Sequence, residues 1–387
     1  MTITHYQSYK KVSFNKFPFL VFLYFTLCLP SLVPGQPPRG PYVISPRVHP
    51  DKTVTFSYLA PQAKEVKLSG QFQREPVAMI MEDQGIWSVT VGPIKPDIYP
   101  YSFIVDGVNV MDPANVSFFP NEYFKSSLVD IPGDEPLIHA LQDVPHGMVT
   151  YTNYVSEVMD GKIMPLVVYT PPGYDKNPDK RYPVLYLISG TTDTEETWFK
   201  VGKANLILDN LIAQGMAEPM IIVMPYGNNG IPISGPASPD VIPMYQAFSD
   251  QLVKDIIPYT EKSFRAISNR EYRAVAGFSR GGGQSLWSGL SNPDQFAHIC
   301  CFSAYLTKEA FEEYFSAFYS NPEETNARMK LFWLSVGNED FLYQQAIDFM
   351  DLLKEKKIET KTLVTGGGHT WMNCKLFLSE AAPLLFK

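Results

Sequence analysis

Hydrophobic and polar residues follow one rhythm in the first third of this chain and another in the rest. From residue 46 to about residue 130 the pattern has period two. Val54, Phe56 and Tyr58 alternate with Thr53, Thr55 and Ser57, and the runs Val66-Lys67-Leu68, Ile86-Trp87-Ser88-Val89-Thr90-Val91 and Tyr101-Ser102-Phe103-Ile104-Val105 follow, each bounded by turn residues. Alternation over such short runs turns one face of each strand toward a core, and strands at this spacing predict a small β-sandwich. No stretch here is long and periodic enough for a helix. Residues 131–147, through Pro132-Gly133-Asp134-Glu135-Pro136, read as a linker.

After residue 148 continuous apolar runs replace the alternation. Leu166-Val167-Val168-Tyr169, Val184-Leu185-Tyr186-Leu187-Ile188, Met220-Ile221-Ile222-Val223-Met224, Ala274-Val275-Ala276, Ile299-Cys300-Cys301-Phe302, Leu331-Phe332-Trp333-Leu334 and Thr362-Leu363-Val364 are strand-like, and helical periods occupy 204–215, 248–264 and a segment ending near 356. Buried strands alternating with helices imply a mostly parallel, doubly wound sheet covered on both faces, with its site at the strands' C-terminal ends.

One of those strands runs into Gly277-Phe278-Ser279-Arg280-Gly281, and a helix-compatible segment follows. Strand, tight Gly-x-Ser-x-Gly turn and helix are the context of a nucleophile elbow, in which the serine sits on strained backbone with its hydroxyl clear of the sheet. Such a serine needs a base and the base needs a carboxylate, in the order Ser, acid, His. His298 begins a strand and so stands on the wrong edge, whereas His369 follows one, in Gly366-Gly367-Gly368-His369-Thr370-Trp371. Glu339 and Asp340 both follow the strand before it, and Asp340 is preferred. For the oxyanion the expected donors are the backbone N–H of Arg280 and one from the loop Ser189-Gly190-Thr191-Thr192, assigned to Thr191. Trp198 and Trp371 are expected to contact substrate.

Composition narrows the setting. The 387 residues are 45% hydrophobic and 19% charged, which is a globular balance, and a net charge of −8 with no basic stripe argues against nucleic acid. Six histidines without a His-x-x-x-His spacing suggest no metal site, and no cofactor is expected. Lys10, Lys11 and Lys16 precede an apolar run over 17–33, so residues 1–35 read as a secretory signal peptide, with a retained anchor or lipidation at Cys28 as rivals. Its removal would take three lysines and no acid, moving the charge from −8 to −11. Cys300, Cys301 and Cys374 would remain, either as buried thiols or with Cys374 bridged to one of the adjacent pair.

Two resemblances sharpen these expectations. Val66-Lys67-Leu68-Ser69-Gly70-Gln71-Phe72, Gly85-Ile86-Trp87, Tyr101-Ser102-Phe103-Ile104-Val105-Asp106-Gly107 and Asp112-Pro113 resemble the immunoglobulin-like early-set domains, in particular the family 48 carbohydrate-binding modules. This implies a sugar-binding module over 36–130, although its aromatics could equally fill a core. From about residue 144 onward the chain resembles carbohydrate esterase family 1, the feruloyl and acetylxylan esterases with siderophore esterases as relatives. The resemblance is carried by Tyr169-Thr170-Pro171-Pro172-Gly173-Tyr174, Gly277-Phe278-Ser279-Arg280-Gly281-Gly282, Gly337-Asn338-Glu339-Asp340-Phe341-Leu342-Tyr343 and Gly367-Gly368-His369-Thr370-Trp371. It implies an α/β hydrolase over 148–387 in which Ser279, Asp340 and His369 are nucleophile, acid and base. The chain departs from that pattern at Ser189-Gly190-Thr191-Thr192, where the family usually has His-Gly and further glycines, and at Arg280, where methionine is common. The expected function is a secreted or periplasmic serine esterase acting on feruloyl or acetyl esters of plant cell-wall xylan. An esterase for another ester, such as a siderophore lactone, and a carbohydrate-binding protein with an impaired esterase domain are the alternatives.

Overall fold

The structure, a computed structural model, describes residues 41–228, 230 and 241–387. The proposed signal segment over 1–35, Cys28 included, lies outside the described residues. The compact unit comprises Val43–Lys387 and holds two β-architectures.

The first is a sandwich of two antiparallel sheets. One sheet has the order Arg47–Val48, Val54–Leu59, Ile86–Val91, Ile80–Met81. The other has the order Val77–Ala78, Val66–Gly70, Asp97–Val105, Val108–Val110, with Ser127–Ile131 added beside Asp97–Val105. The alternating residues meet as the pattern requires: Val54, Phe56, Val66, Leu68, Tyr101 and Phe103 are buried in one cluster. Trp87 and Tyr99 belong to that cluster as well, and the Trp87 indole donates to Ala60 O at 3.0 Å, so these aromatics fill the core.

The second is an eight-stranded sheet of β1 (Met148–Ser156), β2 (Lys162–Thr170), β3 (Val184–Ile188), β4 (Ile221–Pro225), β5 (Arg273–Phe278), β6 (His298–Phe302), β7 (Leu331–Gly337) and β8 (Lys361–Thr365). Their order is β1-β2-β4-β3-β5-β6-β7-β8. The first three positions pair antiparallel and the remainder parallel. Helices α1 (Ala204–Ala213), α2 (Val241–Gln251), α3 (Arg280–Ser291), α4 (Tyr343–Glu355) and α5 (Trp371–Ala381) cover the faces. Each face carries its own apolar cluster, one with Leu286 and Phe349, the other with Leu208 and Phe377. Burying each such side chain contributes about 1.5–3 kcal/mol.

Several boundaries differ from those the sequence suggests. The helix expected over 248–264 begins earlier, at Val241 with α2, and is interrupted by a π turn over Leu252–Ile256 before helix resumes at Ile257–Ser263. Periodicity does not mark strand β1. It is an edge strand with one face open to solvent, so its residues need not be continuously apolar. The stretch over 131–147 is tied down: Asn210 of α1 donates to Ile138 O and Ala140 O at 2.7 and 2.9 Å, and Asp209 accepts from Gly147 N and His146. The sandwich and the large sheet share a core, since Ile98 and Leu128 lie in the cluster of the α5 face. Cys300, Cys301 and Cys374 are buried free thiols. No helix of the described residues is long and apolar enough to cross a membrane.

Candidate active site

Strands β3 and β5 are in register from Val184–Arg273 to Ile188–Gly277, and β7 and β8 end level at Gly337–Thr365. The four loops that follow therefore leave one edge of the sheet together. Ser279 sits between β5 and α3 with φ 56° and ψ −120°, a conformation that L-residues reach only under strain. Glycine is required on both sides by close approach: a Cβ on Gly277 would fall 2.2 Å from Gly281 O, and one on Gly281 would fall 2.4 Å from Ile188 O. The motif thus permits the turn by letting α3 sink against β3 and β5.

Asp340 and His369 meet across the next two loops. His369 Nδ1 lies 3.0 and 2.9 Å from the two carboxylate oxygens, and Leu342 N donates to Asp340 Oδ1 at 2.8 Å. Burial pushes the Asp340 carboxyl up, but the hydrogen bonds from His369 and Leu342 and the imidazole charge outweigh it and hold the group below its ordinary range. Glu339, the other acid considered, is exposed. The His369 ring is packed between Phe278 and Phe341, with both centroid distances 4.5 Å. Ser279 and His369 line the same cavity, and no hydrogen bond joins them in this state. A carboxylate-oriented imidazole beside an unengaged hydroxyl can remove its proton and deliver that proton to a departing group.

The cavity measures about 730 Å³, the size of a drug-sized ligand site. Phe119, Tyr245, Phe278, Tyr305, Phe341 and Trp371 give its mostly apolar wall an aromatic part. Arg280 opens α3, so its N–H has no intrahelical partner. Thr191 lines the cavity beside it. The adjoining loop is fixed from inside and outside. Gly190 N donates to Asp193 Oδ2 at 3.0 Å, and Asp193, buried, is pushed up to about 7 by desolvation despite the nearby Arg280 charge. Thr192 adopts φ 64°, costly for a β-branched residue.

What holds Thr192 there comes from the sandwich. Asn121 Nδ2 donates to Thr192 Oγ1 at 2.7 Å, Glu122 N donates to Thr192 O at 2.8 Å, and Asn121 forms a bridge with Asp193. Thr197 Oγ1 donates to Pro120 O at 3.2 Å. Gln71 and Phe119 reach the cavity wall itself. The sequence gives none of these sandwich residues a role at the site, because no motif marks a side chain that acts across two sheets.

The two tryptophans part company. Trp371 lines the cavity, whereas Trp198 is 0% exposed and does not reach it. Trp198 is a packing residue: its indole N–H donates to Ile188 O at 3.0 Å and its ring meets Trp371 edge-on at 4.8 Å. An indole with a buried backbone partner is more stable in the core than at a cavity mouth. Among the described residues no group of three or more His, Cys, Asp or Glu is placed to hold a metal ion.

Known proteins share this build. A family model described as "Putative esterase" matches residues 156–373, and one for carbohydrate-binding module 48 (isoamylase N-terminal domain) matches residues 44–117. An endo-1,4-beta-xylanase/feruloyl esterase of Xylanibacter ruminicola is 30% identical over 88% of this chain and 46% of its own length. The chain thus spans under half the length of that relative. A solved ferulic acid esterase is 26% identical, covering 62% of this chain and 97% of its own, with a TM-score of 0.53. The enterobactin esterase of Shigella flexneri shares the fold at 16% identity over 85% of this chain and 92% of its own, with a TM-score of 0.60.

Proposed function

The chain belongs to the esterase family whose model it matches, and on that premise we propose that it is a serine esterase releasing feruloyl groups from plant xylan or its oligosaccharides. The observation that carries the reading is the Asp340–His369 pair beside Ser279 in a single aromatic cavity. Ser279 Oγ attacks the ester carbonyl while His369 Nε2 accepts its proton. Asp340 keeps Nδ1–H as the donor and stabilises the imidazolium. The N–H groups of Arg280 and Thr191 donate to the oxyanion, and each such donor is worth about 10²–10³ in rate. Collapse expels the sugar hydroxyl, protonated by His369, and water repeats the sequence on the acyl-enzyme.

A cavity of about 730 Å³ with aromatic walls suits a hydroxycinnamoyl group better than acetyl, which would leave most of it unfilled. The 30% identical xylanase/feruloyl esterase supports the same choice and the xylan context. The sandwich supports retention on polysaccharide through its likeness to module 48. Lys10, Lys11, Lys16 and the apolar run over 17–33 support export, for which N-terminal sequencing of the mature protein should begin at Gln36.

The test is labelling with a fluorophosphonate probe, followed by assay of ferulate and acetate release from feruloylated and acetylated xylo-oligosaccharides. Labelling at Ser279 with ferulate release is expected. Acetate release alone would move the substrate, and no labelling would end the esterase reading.

A further inference from the structure

One charge on the cavity wall has no task in the ester cleavage that Ser279, His369 and Asp340 perform. The Arg280 backbone serves the oxyanion, but its side chain takes a separate course. It is 4% exposed and lines the cavity, and among the described residues it makes no hydrogen bond and no ion pair. Its Nε and Nη2 are sealed without a partner. The chain reaches over the end of β4, where Nη2 lies 3.1 Å from the point a Cβ on Gly227 would occupy. Gln284, one turn further along α3, leaves its Oε1 sealed and unpartnered while Nε2 donates to Gly227 O at 2.8 Å.

The nearby acids are engaged elsewhere. Asp193 accepts from Gly190 N, and Glu122 accepts from the Tyr226 hydroxyl and the Asn228 amide. Burial of a guanidinium without hydrogen-bond partners costs stability, and such a cost is tolerated where a ligand supplies the partner. A neutral substrate could be bound by amides and hydroxyls at far lower cost. A planar, permanently charged fork is suited to a carboxylate, and aromatic walls strengthen that attraction by excluding water.

Position indicates which part of the substrate meets it. In the sheet order, Arg280 reaches toward β4 on one side of Ser279, while Asp340 and His369 come from β7 and β8 on the other. The imidazole must face the leaving oxygen, so the alcohol lies on the β7–β8 side and the acyl part extends toward Arg280. We infer that the Arg280 side chain is a recognition site for a substrate carboxylate, so that the preferred esters carry a second, free carboxylate, foremost on the acyl group. The inference rests on the esterase reading and departs from the feruloyl choice in one respect, since an esterified feruloyl group carries no free carboxylate and an acyl group bearing one would be preferred to it.

The experiment compares kcat/KM for methyl 4-carboxycinnamate against methyl cinnamate, and for a feruloyl ester of glucuronic acid against that of glucose. The first pair tests a carboxylate on the acyl group and the second a carboxylate on the sugar. Wild type should favour the carboxylate-bearing ester at least tenfold in the first pair, or in the second if the sugar bears it. Arg280→Met should abolish the preference and Arg280→Lys should retain part of it. Equal rates within both pairs, or a preference untouched by Arg280→Met, overturns the inference while leaving the esterase reading intact. A binding arm needs no turnover: Ser279→Ala should bind 4-carboxycinnamate at least tenfold more tightly than cinnamate by calorimetry. That result in a protein that hydrolyses none of the esters would sink the esterase reading and keep the carboxylate site. Should Arg280→Met fail to fold, wild type decides, since 4-carboxycinnamate must protect Ser279 from the fluorophosphonate better than cinnamate does.

Discussion

Asn121, in the sandwich loop between Val108–Val110 and Ser127–Ile131, donates its side-chain amide to Thr192 Oγ1 at 2.7 Å, and so braces from the other architecture the loop assigned to the oxyanion. Thr192 sits at φ 64°, where a β-branched residue stays only if its surroundings insist. Asn121→Ala should therefore lower kcat about tenfold, since loosening a donor costs less than the 10²–10³ of deleting one. KM should move little. A change in KM with kcat intact would assign Asn121 to substrate contact.

Asp340 and Glu339 are neighbours with opposite surroundings, one buried against His369 and the other exposed. Asp340→Asn should reduce kcat by about 10³–10⁴, through loss of the correct tautomer. Glu339→Gln should leave it near wild type. Equal losses in the two variants would show that the acid had been misassigned.

Lys375 on α5 is 1% exposed, and its Nζ lies 2.6 Å from Asp97 Oδ1 on the central strand of the sandwich. This ion pair, buried on the lysine side and partly open at Asp97, joins the two architectures through charge, since the Nζ makes no well-aligned hydrogen bond among the described residues. Asp97→Ala leaves an unpaired buried ammonium and should cost about 3–5 kcal/mol in urea unfolding. Asp97→Leu with Lys375→Met should recover most of that loss. A cost below about 1 kcal/mol, typical of exposed pairs, would show that the contact is solvated.

His298 is buried at the start of β6, and desolvation pushes it down to about 4 despite a 3.1 Å contact with Glu271 O. An unfolded histidine takes its proton near pH 6.5, while the folded one resists until about pH 4. Stability is therefore full above pH 6.5 and falls as pH drops toward 4, by up to about 1.4 kcal/mol per pH unit for this group. His298→Gln should flatten that slope in chemical denaturation at pH 7 and pH 5. An unchanged slope would locate the acid sensitivity in other groups, among them His139, which burial also pushes down to about 4.

Much of the large sheet was legible because parallel strands covered on both faces must be apolar throughout, and Ile221–Pro225 and Leu331–Gly337 announce themselves. The edge strand Met148–Ser156, half open to water, does not. Ser279, Asp340 and His369 could be placed at strand ends because loop position follows from strand order. Trp198 could not be told from Trp371, since both follow glycine- or threonine-rich turns and only packing separates a core indole from a cavity wall.

By itself the sequence determined the period of each segment, the small residues that let the Ser279 turn form, and the order of the site residues along the chain. These are properties of a few neighbouring residues and need no knowledge of what packs against them. The tertiary structure alone decided that Asn121 would brace Thr192, that Lys375 would meet Asp97, and that the Arg280 guanidinium would be buried in the cavity without a hydrogen-bond partner among the described residues. Contacts between residues 71 or 278 positions apart depend on how the sandwich packs against the large sheet, and local periodicity carries no record of that packing.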